Sequence, residues 1–279
     1  MQGMTPVALV KKKLEGISLP SLTRPAIGPK EEPTEELVLW GINYYVYSVL
    51  AHLRSISSAL VQLAETGSIP AAYVLCRHVF EWTAHACYMN RNLKNYVTRK
   101  EWKRAWSLQS IVATGSLWVK KHGPKYDPMA TMGGVPDPLT VPNLIKAYGE
   151  YLRQQGRGDD EANDSYGILS EHSHPNSACF FPYHRYAGRE IHFVVPEKGS
   201  PLPIVNWCLL DMMMFLQELL GLSHEKVVSA EVTRTLLELA ELAPKVQNRE
   251  RRLCYWSESS LIRFMSSSIR LLVALWNPA

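Results

Sequence analysis

Leu39, Ile42, Val46, Val49, Leu53, Ile56, Leu60 and Leu63 follow one another at alternating steps of three and four. A residue every three or four positions returns to the same side of an α-helix, so these eight side chains form one stripe on a single long helix. Such a stripe must be covered, and its length commits the chain to helix-on-helix packing. Thr34 stands where an N-cap is needed, Glu35 and Glu36 suit the positive end of the helix dipole, and Gly67 closes the run.

The same period continues downstream. Ser68 and Pro70 open a second helix with a core stripe of Leu75, Val79, Trp82, Ala86, Met89 and Leu93. Thr98-Arg99-Lys100-Glu101 reads as a capping box that starts a third helix, which runs to about Lys121. Pro and Gly fill residues 122–138 as a long loop. A shorter helix follows from Thr140 to Gly156, and another from Asp159 to about Ser170, halted near His174 by Pro175. Alternation in Ile191-His192-Phe193-Val194-Val195 predicts a small β-hairpin around 180–195. Three further helices are expected near 203–221, 229–247 and 256–276. Residues 1–33, with prolines at 6, 20, 25, 29 and 33, read as an irregular arm. The expected fold class is therefore all-α: one helical-bundle domain over 34–279 with a hairpin insertion.

Charge is unevenly distributed. The 279 residues carry a net charge of only +4, which excludes a polycation but hides two opposed regions. Residues 91–125 hold nine Lys/Arg against Glu101 alone, and residues 150–171 hold six acids against Arg153 and Arg157. The basic segment is interleaved with Tyr96, Trp102, Trp106 and Trp118, a composition suited to phosphate contact and base stacking. Arg99, Lys100, Lys103, Arg104, Lys120 and Lys121 are its candidate nucleic-acid-binding residues. An amphipathic helix with its tryptophans inward, or a basic face answered by the acidic 150–171 block, would have the same composition. The expected partner is RNA or another acidic molecule.

Cys76, Cys87, Cys179, Cys208 and Cys254 form no C-x-x-C pair and mostly sit among apolar residues, as reduced core cysteines do. Val7–Val10 is too short for a signal core, and Lys11-Lys12-Lys13 follows it rather than precedes it. The apolar stretch Ile204–Leu220 is interrupted by Asn206, Asp211, Gln217 and Glu218, so a buried helix is expected rather than a membrane span. A cytoplasmic protein without membrane association is the expectation.

Two places could carry chemistry. On the second helix, Tyr73, Arg77, Glu81, His85 and Tyr88 form a polar stripe opposite the core stripe, and Arg77 and Glu81 are spaced to pair. Apolar and aromatic neighbours leave that pair little water, so it needs further hydrogen-bond partners. The segment Tyr166-Gly167-Ile168-Leu169-Ser170-Glu171-His172-Ser173-His174-Pro175-Asn176 concentrates hydroxyl, carboxylate, imidazole and amide groups at a helix end. Ser170 and His174 share a face if the helix persists. Three readings stay open: a structural hydrogen-bonded cluster, a catalytic or phosphate-contacting histidine, and a metal site using His172, His174 and His184 or His192.

The R-x-x-x-E pair at Arg77 and Glu81, followed by Tyr166, Ser170, His174, Pro175 and Asn176, resembles a bacterial helical family of unknown function that is distantly similar to the HEPN domains. The resemblance covers roughly residues 35–222. It implies a helical bundle in which Arg77, Glu81, Ser170 and His174 lie close together. Many HEPN proteins are metal-independent ribonucleases in toxin or phage-defence systems, and they typically act as dimers. A HEPN nuclease carries Arg and His with four to six residues between them; Arg77 and His85 have seven between them, and Arg185 with His192, with six, is the pair that fits. The candidate catalytic set is thus Arg77, Glu81, Ser170 and His174, with His172, Arg185 and His192 beside it, and a homodimer is expected. No phosphate-loop or dinucleotide-binding fingerprint is present, so neither cofactor nor metal is expected.

Overall fold

The structure, a computed structural model, describes residues 6–25, 32–66, 68–114, 139–158, 160–173, 184–187, 190–193, 202–223 and 230–240. Among them are eight helices: α1 Pro6–Glu15, α2 Glu35–Thr66, α3 Ile69–Thr98, α4 Trp102–Thr114, α5 Val141–Gln154, α6 Glu161–Ser173, α7 Leu202–Leu222 and α8 Ala230–Ala240. The fold is an all-α bundle. Residues His184–Ala187 and Glu190–Phe193 pair antiparallel, with Arg185 opposite His192. Residues 188–189 and the side chains of both segments lie outside the described residues, as does the helix expected over 256–276.

Thr34 caps α2 as its sequence predicts: the Leu37 N–H donates to Thr34 Oγ1 at 3.3 Å. Ile42, Val46, Val49, Leu53, Ile56 and Leu60 are buried, while Leu39 and Leu63 at the two ends of the stripe are half-buried. Each fully buried aliphatic side chain of this kind contributes about 2 kcal/mol. α3 lies at the centre of the bundle, against α2, α4, α5, α6 and α7. Its Val79, Ala86, Met89 and Leu93 are buried, and Leu75 and Trp82 pack partly covered against the same core.

The N-terminal arm is not irregular throughout: Pro6–Glu15 forms α1, while residues 17–25 carry no regular element. Val7, Val10 and Leu14 are spaced three and four apart, and all three are buried as α1 lies against α2 and α7. Pro6 occupies the first helical position, where its missing N–H breaks no bond. The Val7 N–H donates to Asn206 Oδ1 at 3.2 Å and fastens the helix start. The many prolines of this region obscure a helix only ten residues long.

The third helix does not open at Thr98. α3 runs through Thr98 because Tyr96 and Val97 still pack against the core. The chain reverses at Lys100, whose φ of 57° is left-handed, and α4 starts at Trp102. Glu101 therefore lies ahead of α4, and its carboxylate accepts from Arg104 at 2.9 Å. α5 ends as predicted: Gly156 adopts φ 71° while its N–H and that of Arg157 donate to Arg153 and Leu152 carbonyls.

α7 is long and apolar enough to cross a membrane, yet 72% of its most apolar stretch lies inside the bundle, as in a core helix. Its Asp211 is completely buried. The Tyr148 hydroxyl donates to Asp211 Oδ2 at 2.6 Å, and the Arg157 guanidinium lies 3.5 Å from the same oxygen. Arg157 also pairs with Glu161 and sits 4.1 Å over the Trp207 ring. This cluster joins α5, α6 and α7 through a charge that is balanced before it is buried. Cys76, Cys87 and Cys208 are buried and unbridged, and burial pushes the Cys87 thiol up to about 12.

Candidate functional site

α3 and α6 run side by side, and their facing surfaces carry a row of polar side chains. Arg77 Nε donates to Glu81 Oε1 at 3.0 Å, one helical turn along α3. Arg77 Nη2 donates to the Tyr166 hydroxyl at 2.9 Å, and that hydroxyl donates to Glu81 Oε1 at 3.2 Å. The guanidinium carbon is 5.3 Å from the Tyr166 ring centroid. The expected pairing of Arg77 with Glu81 is thus joined by Tyr166 from the segment that the sequence singled out. One turn earlier on α3, the Tyr73 ring stacks on His172 at 4.3 Å between centroids.

The row is not sealed. The side chains of Arg77 and Glu81 are 26% and 27% exposed, enough to reach solvent from a largely covered position. Burial opposes the Arg77 charge, but hydrogen bonds and charge attraction from Glu81 and Tyr166 outweigh it and raise its pKa. Burial, then the nearby Glu81 carboxylate, raises Tyr166. The site therefore holds a fixed cation and a protonated phenol at neutral pH. Ser170, one turn from Tyr166 on α6, is half-buried, as is His172.

His174 lies outside the described residues, and so do the side chains of Arg185, His192 and His184. Among the described residues no group of three or more His, Cys, Asp or Glu could hold a metal ion. The backbones of Arg185 and His192 face each other across the antiparallel pair.

Arg99, Lys100, Lys103 and Arg104 are all exposed at the α3–α4 corner; Lys120 and Lys121 lie outside the described residues. Several cations of the basic segment already meet acids of this chain: Arg91 with Glu150, Lys94 with Glu218 at 3.6 Å, Lys103 with Glu32 at 3.9 Å and Arg104 with Glu101. Of these acids, Glu150 belongs to the acidic 150–171 block. Trp102 and Trp106 are half-buried against the core rather than laid out as an open stacking surface.

No family model, curated protein or solved structure matches this chain.

A second cluster escaped the sequence reading. His52 of α2 and His78 of α3 meet Nε2 to Nε2 at 2.8 Å, and the Trp82 indole N–H donates to the same His78 nitrogen at 3.0 Å. An indole nitrogen only donates, so His78 Nε2 accepts and its ring carries the proton on Nδ1. His52 must then supply the hydrogen between the two rings. About two turns further along α3, the Tyr45 hydroxyl and His85 Nδ1 share a hydrogen bond of 2.8 Å. Burial lowers His85 to about 4, and burial with the adjacent His52 lowers His78. His85 therefore turns to Tyr45 of α2 instead of sharing the polar row of Arg77 and Glu81, as its spacing suggested. The signal was present: His78, Trp82 and His85 fall at i, i+4 and i+7, facing Tyr45 and His52 at i and i+7 of the partner helix.

Proposed function

We propose that this chain is a HEPN-like helical protein that acts on RNA, with Arg77, Glu81, Tyr166, Ser170, His172 and His174 forming its reaction centre. The observation that carries the reading is the partly exposed, permanently charged Arg77 beside Tyr166, with the His172 imidazole one turn away. In cleavage through the 2′-hydroxyl, an imidazole takes the hydroxyl proton as its oxygen bonds to phosphorus. The bond to the 5′ oxygen breaks, and that oxygen receives a proton in return. A guanidinium beside the phosphate offsets the charge that builds on the phosphorane. Arg77 fills the second role; His172 or His174 fills the first. Arg185 with His192 is the alternative pair. The exposed corner of Arg99, Lys100, Lys103 and Arg104 supplies phosphate contacts.

The deciding experiment is cleavage of a labelled single-stranded RNA by the purified chain, with and without EDTA, alongside His172→Ala, His174→Ala and Arg185→Ala. Activity that survives EDTA and falls about 100-fold or more in one of these variants is the expected result. Loss of activity in EDTA would turn the assignment toward metal-assisted hydrolysis. A folded native chain that cleaves nothing would overturn the reading.

One observation favours a second reading, a non-catalytic interaction or ligand-binding module. Arg77, Glu81 and Tyr166 satisfy one another in a closed ring of hydrogen bonds, as a structural cluster does. Under that reading Tyr166→Phe costs stability and leaves partner binding intact.

A further inference from the structure

On another side of α3, Trp40 and Tyr44 of α2, Trp82 of α3 and Trp106 of α4 converge around a cavity of about 190 Å³. Each of these four rings keeps surface that its neighbours do not cover: the tryptophans are half-buried and Tyr44 is 40% exposed. The buried Tyr45 and Met89 complete the lining, and Tyr44 and Ser48, both exposed, mark its solvent side. Three of the rings are held before any molecule enters. Trp40 and Tyr44, one helical turn apart, stack with their centroids 5.4 Å apart. The Trp82 N–H donates to His78, and its ring centroid lies 5.1 Å from that of His52.

Most polar atoms of the lining are withdrawn from the cavity. The Trp82 N–H is engaged by His78, the Tyr45 hydroxyl by His85, and the Gln109 amide nitrogen by the Val38 carbonyl. Trp40 Nε1 and Gln109 Oε1 are covered by the surrounding protein, the oxygen packed over Gly41. An incoming molecule therefore meets mainly carbon, and no lining residue is charged at neutral pH. A cation would find no carboxylate there, and the Arg24 guanidinium already lies 5.8 Å from the Trp40 ring centroid. An anion would find no cation in the lining. Moving an unpartnered charge from water into such surroundings is costly, whereas a neutral ring gains by burial and by ring–ring contact.

Size narrows the class. An apolar cavity of about 150 Å³ accommodates a benzene ring, so 190 Å³ admits one ring or two small fused rings. We propose that this cavity binds a small, uncharged aromatic compound, held by contact with the rings of Trp40, Tyr44, Trp82 and Trp106. The site is separate from the α3–α6 row and does not depend on the RNA reading.

The test uses the full chain and three probes of closely similar size: toluene, which is neutral, N-methylpyridinium, its cationic counterpart, and benzoate, an anion. Binding is followed by tryptophan fluorescence and by ligand-observed NMR. Toluene is expected to bind about tenfold or more tightly than either ion. Two variants locate the site. Ser48→Phe places a ring at the exposed edge of the cavity, where it disturbs no buried contact, and should weaken toluene binding about tenfold. Trp106→Leu removes one wall and should weaken it several-fold; if this variant fails to fold, Ser48→Phe carries the test. No toluene bound, either ion bound as tightly as toluene, or a toluene affinity unchanged in every folded variant would overturn the proposal.

Discussion

His52 and His78 touch through their Nε2 atoms at 2.8 Å, and the Trp82 indole N–H completes the contact. Two imidazoles so close cannot both be charged without repulsion, and burial lowers His78 further. About two turns away, burial holds His85 neutral down to about pH 4. The α2–α3 interface thus depends on His78 and His85 staying uncharged.

This dependence predicts acid sensitivity. A histidine whose folded pKa lies below its unfolded value favours folding above the unfolded pKa, near 6.5, and its contribution is lost as pH falls through the window to the folded pKa. For His85 the window runs from about 6.5 to about 4, and the loss reaches about 3 kcal/mol at its lower end. Urea midpoints at pH 7.5, 6.0 and 5.0 should fall steadily, and less steeply in His85→Phe. Identical slopes for the two proteins would refute the assignment.

Tyr166→Phe keeps the ring beside Arg77 but removes the hydroxyl that both Arg77 and Glu81 use. The loss should be about 1 kcal/mol by chemical denaturation. A double-mutant cycle with Glu81→Gln should give a coupling clearly above zero; strict additivity would show that the three groups do not act together.

Asp211→Leu leaves the Arg157 guanidinium beside an uncharged side chain in the core, and should cost about 3 kcal/mol or more. Adding Arg157→Met removes the stranded charge and should recover part of that loss. A double variant less stable than Asp211→Leu alone would show that Arg157 stabilises the fold mainly through Glu161 and Trp207.

Lys100 is the one non-glycine residue with positive φ among the described residues. Lys100→Gly removes that strain and should stabilise the chain by about 0.5–1 kcal/mol, seen as a higher Tm. An unchanged or lower Tm would mean that the added freedom of the unfolded chain outweighs the relief.

If the α3–α4 corner contacts RNA, replacing Arg99, Lys100, Lys103 and Arg104 together with alanine removes four phosphate contacts. The slope of log affinity against log salt should then flatten by about 3 for a single strand. An unchanged slope would remove the corner from any RNA-binding surface.

Long-range order in this chain was legible where periodicity was long. The α2 and α3 stripes, the Thr34 cap and the Gly156 stop needed only spacing and backbone chemistry. So did the link between the Arg77 pair and the Tyr166 segment, since a half-covered ion pair needs further donors and acceptors. Short elements among prolines were not legible: α1 shows its period in only Val7, Val10 and Leu14. Thr98 misled because a capping box is a local preference, and the burial of Tyr96 and Val97 overrode it. The imidazole cluster lies between two helices: its spacing is present in each, but no one-dimensional pattern records that His52 of α2 meets His78 of α3.

The fastening of Val7 to Asn206 spans 199 positions, and Lys13 reaches Glu238 in the same region. At ribosomal rates of about 5–20 residues per second, α1 waits about 10–40 s for its partner helix to emerge. During that interval α2 is the partner that can already cover α1, and the part of its apolar face that meets α7 stays open until α7 is made.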